Sequence, residues 1–593
     1  MIAAPVLGAT PSESGVSFAV RAATPVWLCL WDGASERRVA MRDAGEGVWT
    51  ATVAGIGLGQ PYGYRAEADM AKLLVDPYAT ALDRPFAYDP RLGAPGVETG
   101  SLVPWSIVAE APDILPPPPI FAPGGLIYEV NVRGFTMLHP EVPAAQRGTI
   151  AALAHPAVIA HLQRLRVAAI ELMPIVAWID ERHLPPLGLR NAWGYNPVVP
   201  MAIDPRLAPG GLAELTATVA TLRAAGIGVI LDLVFNHNGE SDRDGPTLSL
   251  RGLDEALYFA HGEDGTLIND SGTGNTLDCA QPAVRALILA SLRHFARAGV
   301  DGFRFDLAPV LARGPGFDPQ APIFAEIAAD PLLATRVMIA EPWDIGPGGY
   351  QLGRFPQTWL EWNDRYRDDL RRFWRGDGAA GALATRIAGS ADVFGAGATR
   401  SVNFVAAHDG FTLADTVAYA ERHNHANGED NRDGHGDNHS WNNGVEGETD
   451  DAAVLARRDA DRRALLTLLF ASRGTILLTA GDAFARTQRG NNNAYAQDNA
   501  IGWVDWTTRD TALEAFVAAL AAFRAAHGLD RVAPYLAADW RRLDGEPMRD
   551  GDWDGADGFV LRLPDGDAAV TLRVDRRTRR VALCHGQSLE NRS

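Results

Sequence analysis

From Leu126 onward the chain switches repeatedly between two hydrophobic periods, and this limits its possible folds more than any other feature. Eight short apolar runs read as strands: LIYEVN (126–131), VAAIELMPI (167–175), GVILDLVFN (228–236), GFRFDLA (302–308), VMIAEPWD (337–344), TWLEWND (358–364), VNFVAAHD (402–409) and TILLTAGD (475–482). Several are continuously apolar, as strands buried on both faces are. Segments of helical period separate them. In HPAVIAHLQRLR, Pro156 sits at a helix start, and Ile159, Leu162 and Arg166 follow at helical spacing. In QPAVRALILASLRHFARAG, Val284, Ile288, Leu292 and Phe295 form one apolar stripe, with Gly299 as its stop. AELTATVATLRAAG, RYRDDLRRFWRG, AAVLARRDADRRALLTLLFASRG and ALEAFVAALAAFRAAHG read in the same way. Eight such units predict an α/β protein built on a (β/α)8 (TIM) barrel with insertions. The rival is an open doubly wound sheet, but no first strand leads into a G-x-G-x-x-G turn.

The flanks differ. SGVSFAVRA, TPVWLCLWDG, RRVAMRDA, VWTATVAGIG and YGYRAEA are closely spaced β-like runs; Val16, Phe18 and Val20 alternate, and Val26, Leu28 and Leu30 share one face. They predict an N-terminal β-sandwich over 1–111. The prolines of PDILPPPPIFAPGG (112–125) exclude helix and mark a linker. The barrel is expected within 112–528. FVLRL, AAVTLRV and RRVALC predict a small C-terminal β-domain over 529–593.

At 593 residues the chain exceeds one ordinary domain, and 47% hydrophobic residues suffice for large cores. The formal net charge of −19 repels nucleic acid and anionic membranes, so neither is expected as a partner. Cys29, Cys279 and Cys584 form no CxxC pair, which argues against a disulfide framework or a zinc site and suits a reducing compartment. MIAAPVLGATPSESG has no basic segment followed by an apolar one, and no run approaches ~18 apolar residues; a cytoplasmic protein is the expectation.

Acidic residues close four of the apolar runs: Asp232 in GIGVILDLVFNH, Asp306 in GVDGFRFDLA, Glu341 in RVMIAEPWD and Asp409 in SVNFVAAHDG. One acid in such a place is usually a strand cap, because burying a carboxylate is costly. In a barrel, four would converge on the mouth at the C-terminal ends of the strands. Asp306 would end the fourth strand, Glu341 the fifth and Asp409 the seventh. Hydrolysis of a glycosidic bond needs one carboxylic acid to protonate the leaving oxygen and one carboxylate to attack or to activate water. A third negative group can stabilise an oxocarbenium-like charge. Arg304, two residues before Asp306, shares its face, and its positive charge would keep Asp306 ionised. His237 and His408 are suited to hydrogen-bond sugar hydroxyls.

DLVFNH, GFRFDLA, IAEPWD and FVAAHD resemble, in order, the four short sequence regions of the α-amylase superfamily of glycoside hydrolases. Within it, YEVNVRGFT, NAWGYNP, GTGNTLD, EPWDIGPGGYQLGRFP, EWNDRYRDDLRRFWRGD, HDGFTLADTVAYAERHNHANGEDNRDG and RGNNNAYAQDNAIGWVDW resemble bacterial glycogen debranching enzymes, close to isoamylases. The N-terminal sandwich resembles the glucan-binding module that precedes such barrels. The resemblance implies a retaining mechanism: Asp306 as nucleophile, Glu341 as acid and then base, Asp409 stabilising the distorted sugar. It also implies Tyr195 under the ring at the cleavage point, with His237, Arg304 and His408 around it and Asp232 as scaffold. The nucleophile and acid of a retaining pair lie ~5–5.5 Å apart. Ala192 stands where the family usually has an aromatic, and NPVVPMAIDPR replaces a more aromatic stretch; both are expected in the substrate cleft.

Trp193, Trp343, Trp359, Trp362 and Trp441 are further candidates for stacking on sugars, each with core packing as its alternative; Trp27 and Trp31 stand likewise in the sandwich. The segment 423–444 is rich in histidine, and Glu429, Asn431, Asp433 and Gly434 echo a calcium loop, but Glu429 and Ser440 occupy the positions that need Asp and Glu. A polar loop over the cleft is expected, with no metal and no cofactor. The expected activity is hydrolysis of α-1,6 branch linkages in glycogen or another branched α-glucan. The alternatives are an isoamylase favouring long branches, a branching enzyme, a trehalose-releasing hydrolase or, in another class, a non-catalytic glucan-binding scaffold.

Overall fold

The computed structural model describes residues 5–110, 115–314, 316–535 and 537–586. The first residues of the proline-rich linker, the first residues of the N-terminal stretch and the end of the tail lie outside them. β1 (Gly8–Ser12), β2 (Gly15–Arg21), β3 (Val26–Trp31), β4 (Glu36–Ala40), β5 (Arg42–Asp43), β6 (Val48–Ala54), β7 (Pro61–Ala66) and β8 (Ser106–Ile107) form two antiparallel sheets, β1-β2-β6-β5 and β4-β3-β7-β8. Val16, Phe18 and Val20 face Val26, Leu28 and Leu30 across one buried core, so the period-2 patterns of the two runs fixed which faces meet. GATPS carries no such pattern; it becomes β1 through its register with β2.

The barrel closes in chain order. β9 (Leu126–Val130), β10 (Val167–Leu172), β13 (Gly228–Val234), β14 (Gly302–Asp306), β15 (Val337–Ala340), β16 (Leu360–Trp362), β17 (Ser401–Phe404) and β18 (Thr475–Thr479) are parallel, and β18 returns to β9. Between β10 and β13 an insertion carries the antiparallel pair β11 (Val176–Trp178) and β12 (Pro197–Ile203). Helices Pro156–Arg164, Gly211–Ala224, Pro282–Arg297, Asp364–Arg375, Ala452–Ala471 and Thr511–Ala526 occupy the segments of helical period. Val284, Ile288, Leu292 and Phe295 are buried as one stripe, and Gly299 takes a φ of 93° just beyond the helix end. Arg166 does not extend its helix as its spacing suggested: it adopts a φ of 52° in the tight turn into β10.

Side-chain alternation divides the barrel interior into layers. Ile127, Ala169, Ile230, Ile339, Leu360, Val402 and Leu477 pack with Phe121 of the linker as an apolar plug. One step along the strands toward their C-terminal ends, the same inward face becomes polar: Glu129 on β9, Glu171 on β10, Asp232 on β13 and Arg304 on β14, all buried.

β19 (Asp539–Arg541), β20 (Gly558–Asp565), β21 (Ala568–Asp575) and β22 (Arg580–His585) form the C-terminal antiparallel sheet. Its Phe559, Leu561 and Val574 join the same core as Tyr366, Leu370 and Phe373 of a barrel helix. The sandwich is anchored differently, through Cys29, Leu73 and Val75 packed on Ala177 and Val198 of the insertion. NPVVPMAIDPR is therefore not cleft wall: its β12 segment is buried, and the apolar residues replace aromatic ones where the insertion meets the sandwich.

Candidate active site

Arg304 is the centre of the polar layer and is fully buried. Its Nη1 donates to both carboxylate oxygens of Asp232, at 2.9 and 3.0 Å, and to Asp306 Oδ1 at 3.0 Å. Its Nη2 lies 3.1 Å from Glu341 Oε1. Three acids from β13, β14 and the end of β15 thus share one rigid guanidinium, a planar geometry that an ammonium could not supply. Below it lies the indole of Trp362, 4.6 Å from the guanidinium carbon. Trp362 is consequently a buried floor rather than an exposed stacking surface, and Trp359 likewise is core, stacked on Phe305 at 4.9 Å.

The backbone after β14 is bent to bring Asp306 and Glu341 together. Leu307 has φ 42° and ψ 51°, left-handed values unusual for a residue with a side chain. In that conformation its N–H donates to Glu341 Oε2 at 2.7 Å, and Ala308 N donates to the Glu341 carbonyl at 3.0 Å. Asn236 donates from Nδ2 to Asp306 Oδ2 at 2.7 Å and to its carbonyl at 2.9 Å. Asp306 remains partly open to solvent while Glu341 is buried.

The acids differ in their proton affinity for physical reasons. Burial pushes Glu341 well above the usual carboxyl range, and Asp306 adds to the rise; Arg304, the Leu307 N–H and His408 oppose it without cancelling it. Burial likewise raises Asp232 to about 6 against the pull of Arg304. Glu171, desolvated and near Asp232, is raised further still, with one carboxyl oxygen unpartnered. Asp409 goes the other way. Burial would raise it, but a 2.9 Å contact from His435 Nε2, with the charges of His435, His408 and Arg367, holds it at about 2.

Tyr195 donates its hydroxyl to Asp232 Oδ2 at 2.5 Å, and its ring stacks on His408 with centroids 4.9 Å apart. Trp193 meets the His408 ring edge-on at 5.0 Å. His408 Nδ1 is held by Glu129 Oε1 at 2.7 Å; burial disfavours its protonated form, yet Glu129 more than compensates and its pKa is raised. A small cavity of about 30 Å³ lies beside this group, lined by Ala192, Trp193, His408 and Met173 among others.

His237 differs from its expected role. Its Nε2 meets the Tyr195 carbonyl at 2.9 Å and its Nδ1 the Asn236 side chain, so both ring nitrogens serve the protein and none is directed at a sugar. It fixes Asn236, which in turn fixes Asp306. Asp232 is not at a strand end as its apolar run suggested but within β13, where the inward face continues from Ile230. Glu129, Glu171, Asn236 and His435 escaped the sequence reading. The first two carried a usable signal, an acid two residues beyond an inward-facing apolar residue. The polar loop expected over the cleft delivers His435 to Asp409. Its echo of a calcium loop is taken up internally: Asp433 Oδ2 accepts from Asn427 at 2.7 Å and from Asn493 at 2.9 Å, and Glu429 from Tyr495 at 2.6 Å. Trp441 is also committed, donating to Asp461 at 2.8 Å.

Residues 6–79 match the family model of carbohydrate-binding module 48, the isoamylase N-terminal domain. Over 97% of its length the chain is 44% identical to the glycogen debranching enzyme of Serratia proteamaculans, covering 91% of that protein. It is 43% identical to the glycogen debranching enzyme of Dickeya chrysanthemi, covering 94% of the chain and 88% of the relative. Among solved structures, an Anoxybacillus pullulanase complexed with maltotriose superposes with a TM-score of 0.72 at 24% identity, covering 97% of the chain and 80% of the pullulanase. The apo pullulanase of Paenibacillus barengoltzii gives 0.70 at 22% identity, with 96% and 87% covered. At these identities the pullulanases speak for the fold alone.

Proposed function

Since the chain belongs to the glycogen debranching enzymes, glycoside hydrolases that act on branched glucan, we propose that it cleaves α-1,6 branch linkages by double displacement with Asp306 as nucleophile. The observation that carries this reading is the Arg304 fork, which holds Asp306 and Glu341 on its two arms while burial favours the protonated form of Glu341. Asp306 attacks the anomeric carbon as Glu341 gives its proton to the departing O6, so the glycosidic bond breaks as a glucosyl ester forms. Glu341, now a carboxylate, takes a proton from water; the hydroxide equivalent attacks the anomeric carbon and frees Asp306. Asp409, kept anionic, faces the oxocarbenium-like charge, and Tyr195 with His408 supplies a stacked platform for the ring.

The same reading divides the work of the chain: a glucan-positioning sandwich over 1–111, the catalytic barrel over 112–528 and a small β-domain over 529–593. Cytoplasmic residence goes with it. No disulfide joins Cys29, Cys279 or Cys584, and no helix among the described residues is long and apolar enough to cross a membrane.

Product analysis tests the proposal. Phosphorylase-limited glycogen, native glycogen and linear maltooligosaccharides are incubated with enzyme, with Asp306→Asn as the blank. Short linear products from limit dextrin and none from linear chains are expected. Cleavage of linear chains would move the activity to α-1,4 bonds, and binding without products would favour a scaffold. The pH profile adds a second test. Because Glu341 must be protonated to start, kcat falls as pH rises through its raised pKa. With a glucosyl fluoride, whose leaving group needs no proton, that alkaline limb disappears in the wild type and Glu341→Gln recovers much of the activity it loses on glucan; survival of the limb on glucan in Glu341→Gln would remove Glu341 from the role.

A further inference from the structure

Far from the cleft, the last barrel helix and the C-terminal sheet meet at three side chains with metal-binding chemistry. His527 caps the helix Thr511–Ala526, Asp565 ends β20 and His585 ends β22. The sheet register brings Asp565 and His585 to one end of the sheet on either side of β21, where Asp565 pairs with Ala568 and His585 with Val570. His527 Nδ1 lies 2.7 Å from Asp565 Oδ2, and His585 Nε2 lies 3.3 Å from the same oxygen. The two imidazoles are stacked, with centroids 4.3 Å apart and planes at 29°. One donor atom from each residue falls within 4.8 Å of the other two.

This spacing is that of ligands around one small cation. Metal–ligand bonds of about 2.0–2.2 Å at angles between square and tetrahedral place neighbouring ligand atoms roughly 3.0–3.4 Å apart. Of the two contacts to Asp565, the one at 3.3 Å falls within that range and the one at 2.7 Å just below it, while the two histidine nitrogens lie within 4.8 Å of each other, so rotamer adjustment suffices. Two imidazoles with one carboxylate select a borderline transition ion; calcium and magnesium prefer oxygen alone. One divalent ion would accept a lone pair from each imidazole together with the carboxylate oxygen that both already approach. The cation on the adjoining wall, Arg531, is turned to the Gly528 carbonyl at 2.6 Å. The exposed His585 leaves room for water to complete the coordination.

We propose that His527, Asp565 and His585 bind one divalent transition-metal ion of the zinc class, which staples the C-terminal sheet to the end of the last barrel helix. His527 and Asp565 are 38 positions apart, so the ion cross-links elements that the backbone joins only through a long excursion. The site stands apart from hydrolysis and does not depend on how the cleft is read.

The experiment uses the full-length chain without a polyhistidine tag, stripped by chelator and dialysed. Zinc chloride is added in calorimetric titration, and thermal melting is followed with and without it. One bound equivalent and a higher melting temperature are expected, with magnesium and calcium giving neither. Because His527 also ends a helix, the exposed His585→Gln is the deciding variant. It melts as the stripped wild type does, yet takes up no equivalent and gains no melting temperature from zinc; His527→Ala loses the equivalent too. Absence of stoichiometric uptake by the wild type, or uptake unchanged in both variants, overturns the site.

Discussion

At the scale of the residue, the site works by giving similar carboxyl groups different charges. His435 is the clearest case, since its contact with Asp409 opposes burial and keeps that carboxylate anionic. Removing it leaves only His408 and Arg367 to oppose the desolvation, so Asp409 takes up a proton at higher pH. In His435→Ala the acid limb of kcat/KM therefore moves to higher pH, and His435→Gln, which still donates, moves it less. A limb that stays put in both would detach His435 from Asp409 function. Glu171 provides the converse. Burial raises its pKa and so favours the protonated form, which the neutral isostere mimics. Glu171→Gln should keep kcat within a few-fold of wild type at pH 7, whereas a loss as large as that of Asp306→Asn would show a needed charge there. Why some of these residues were legible and others not follows from their settings. Asp306, Glu341 and Asp409 interrupt long apolar runs and sit in recognisable motifs. Glu129 and Glu171 sit inside strands, where period 2 marks them only once the inward face is known. His435 lies in a loop with several other histidines, and no local period distinguishes the one that the loop path carries to Asp409.

At the scale of the element, β14 is where barrel closure and chemistry meet. Gly302 opens it because a Cβ there would lie 2.3 Å from the Val337 carbonyl of the neighbouring strand, a contact with backbone that cannot step aside. Gly302→Ala should cost about 1–3 kcal/mol through forced strand separation, read as a lower denaturation midpoint; an unchanged midpoint would mean that β14 and β15 part freely. At the other end of β14, the left-handed Leu307 aims its N–H at Glu341. All eight barrel strands were visible as apolar runs, but their ends were not. β15 stops at Ala340 and β17 at Phe404, because beyond them the chain leaves the ladder to deliver Glu341 and Asp409 from loops. β1 was invisible, since GATPS has neither alternation nor bulk and depends on β2 for its place.

At the scale of the molecule, three units are joined by means that sequence patterns do not report. The sandwich shares an apolar patch with the barrel insertion, whereas the C-terminal sheet is fastened partly through Asp461. That buried carboxylate accepts from Trp374 and Trp441, each at 2.8 Å, and from Asn443 and Arg579. Asp461→Ala should lower the melting temperature by exposing these donors to an unfilled site, on the order of 3 kcal/mol for a broken buried network. An unchanged melting profile would show the sheet to be held by its apolar core alone. None of this assembly bears on how the glycosidic bond is cut, which in the proposed mechanism is the work of the carboxylates at the Arg304 fork. Proton NMR of limit dextrin during the first turnovers tests that directly. The account predicts that the anomeric signal of α-1,6 linkages falls, that of α-1,4 linkages holds, and the new reducing ends appear first as the α-anomer. Reducing ends appearing first as the β-anomer, or loss of the α-1,4 signal in place of the α-1,6 one, would contradict it.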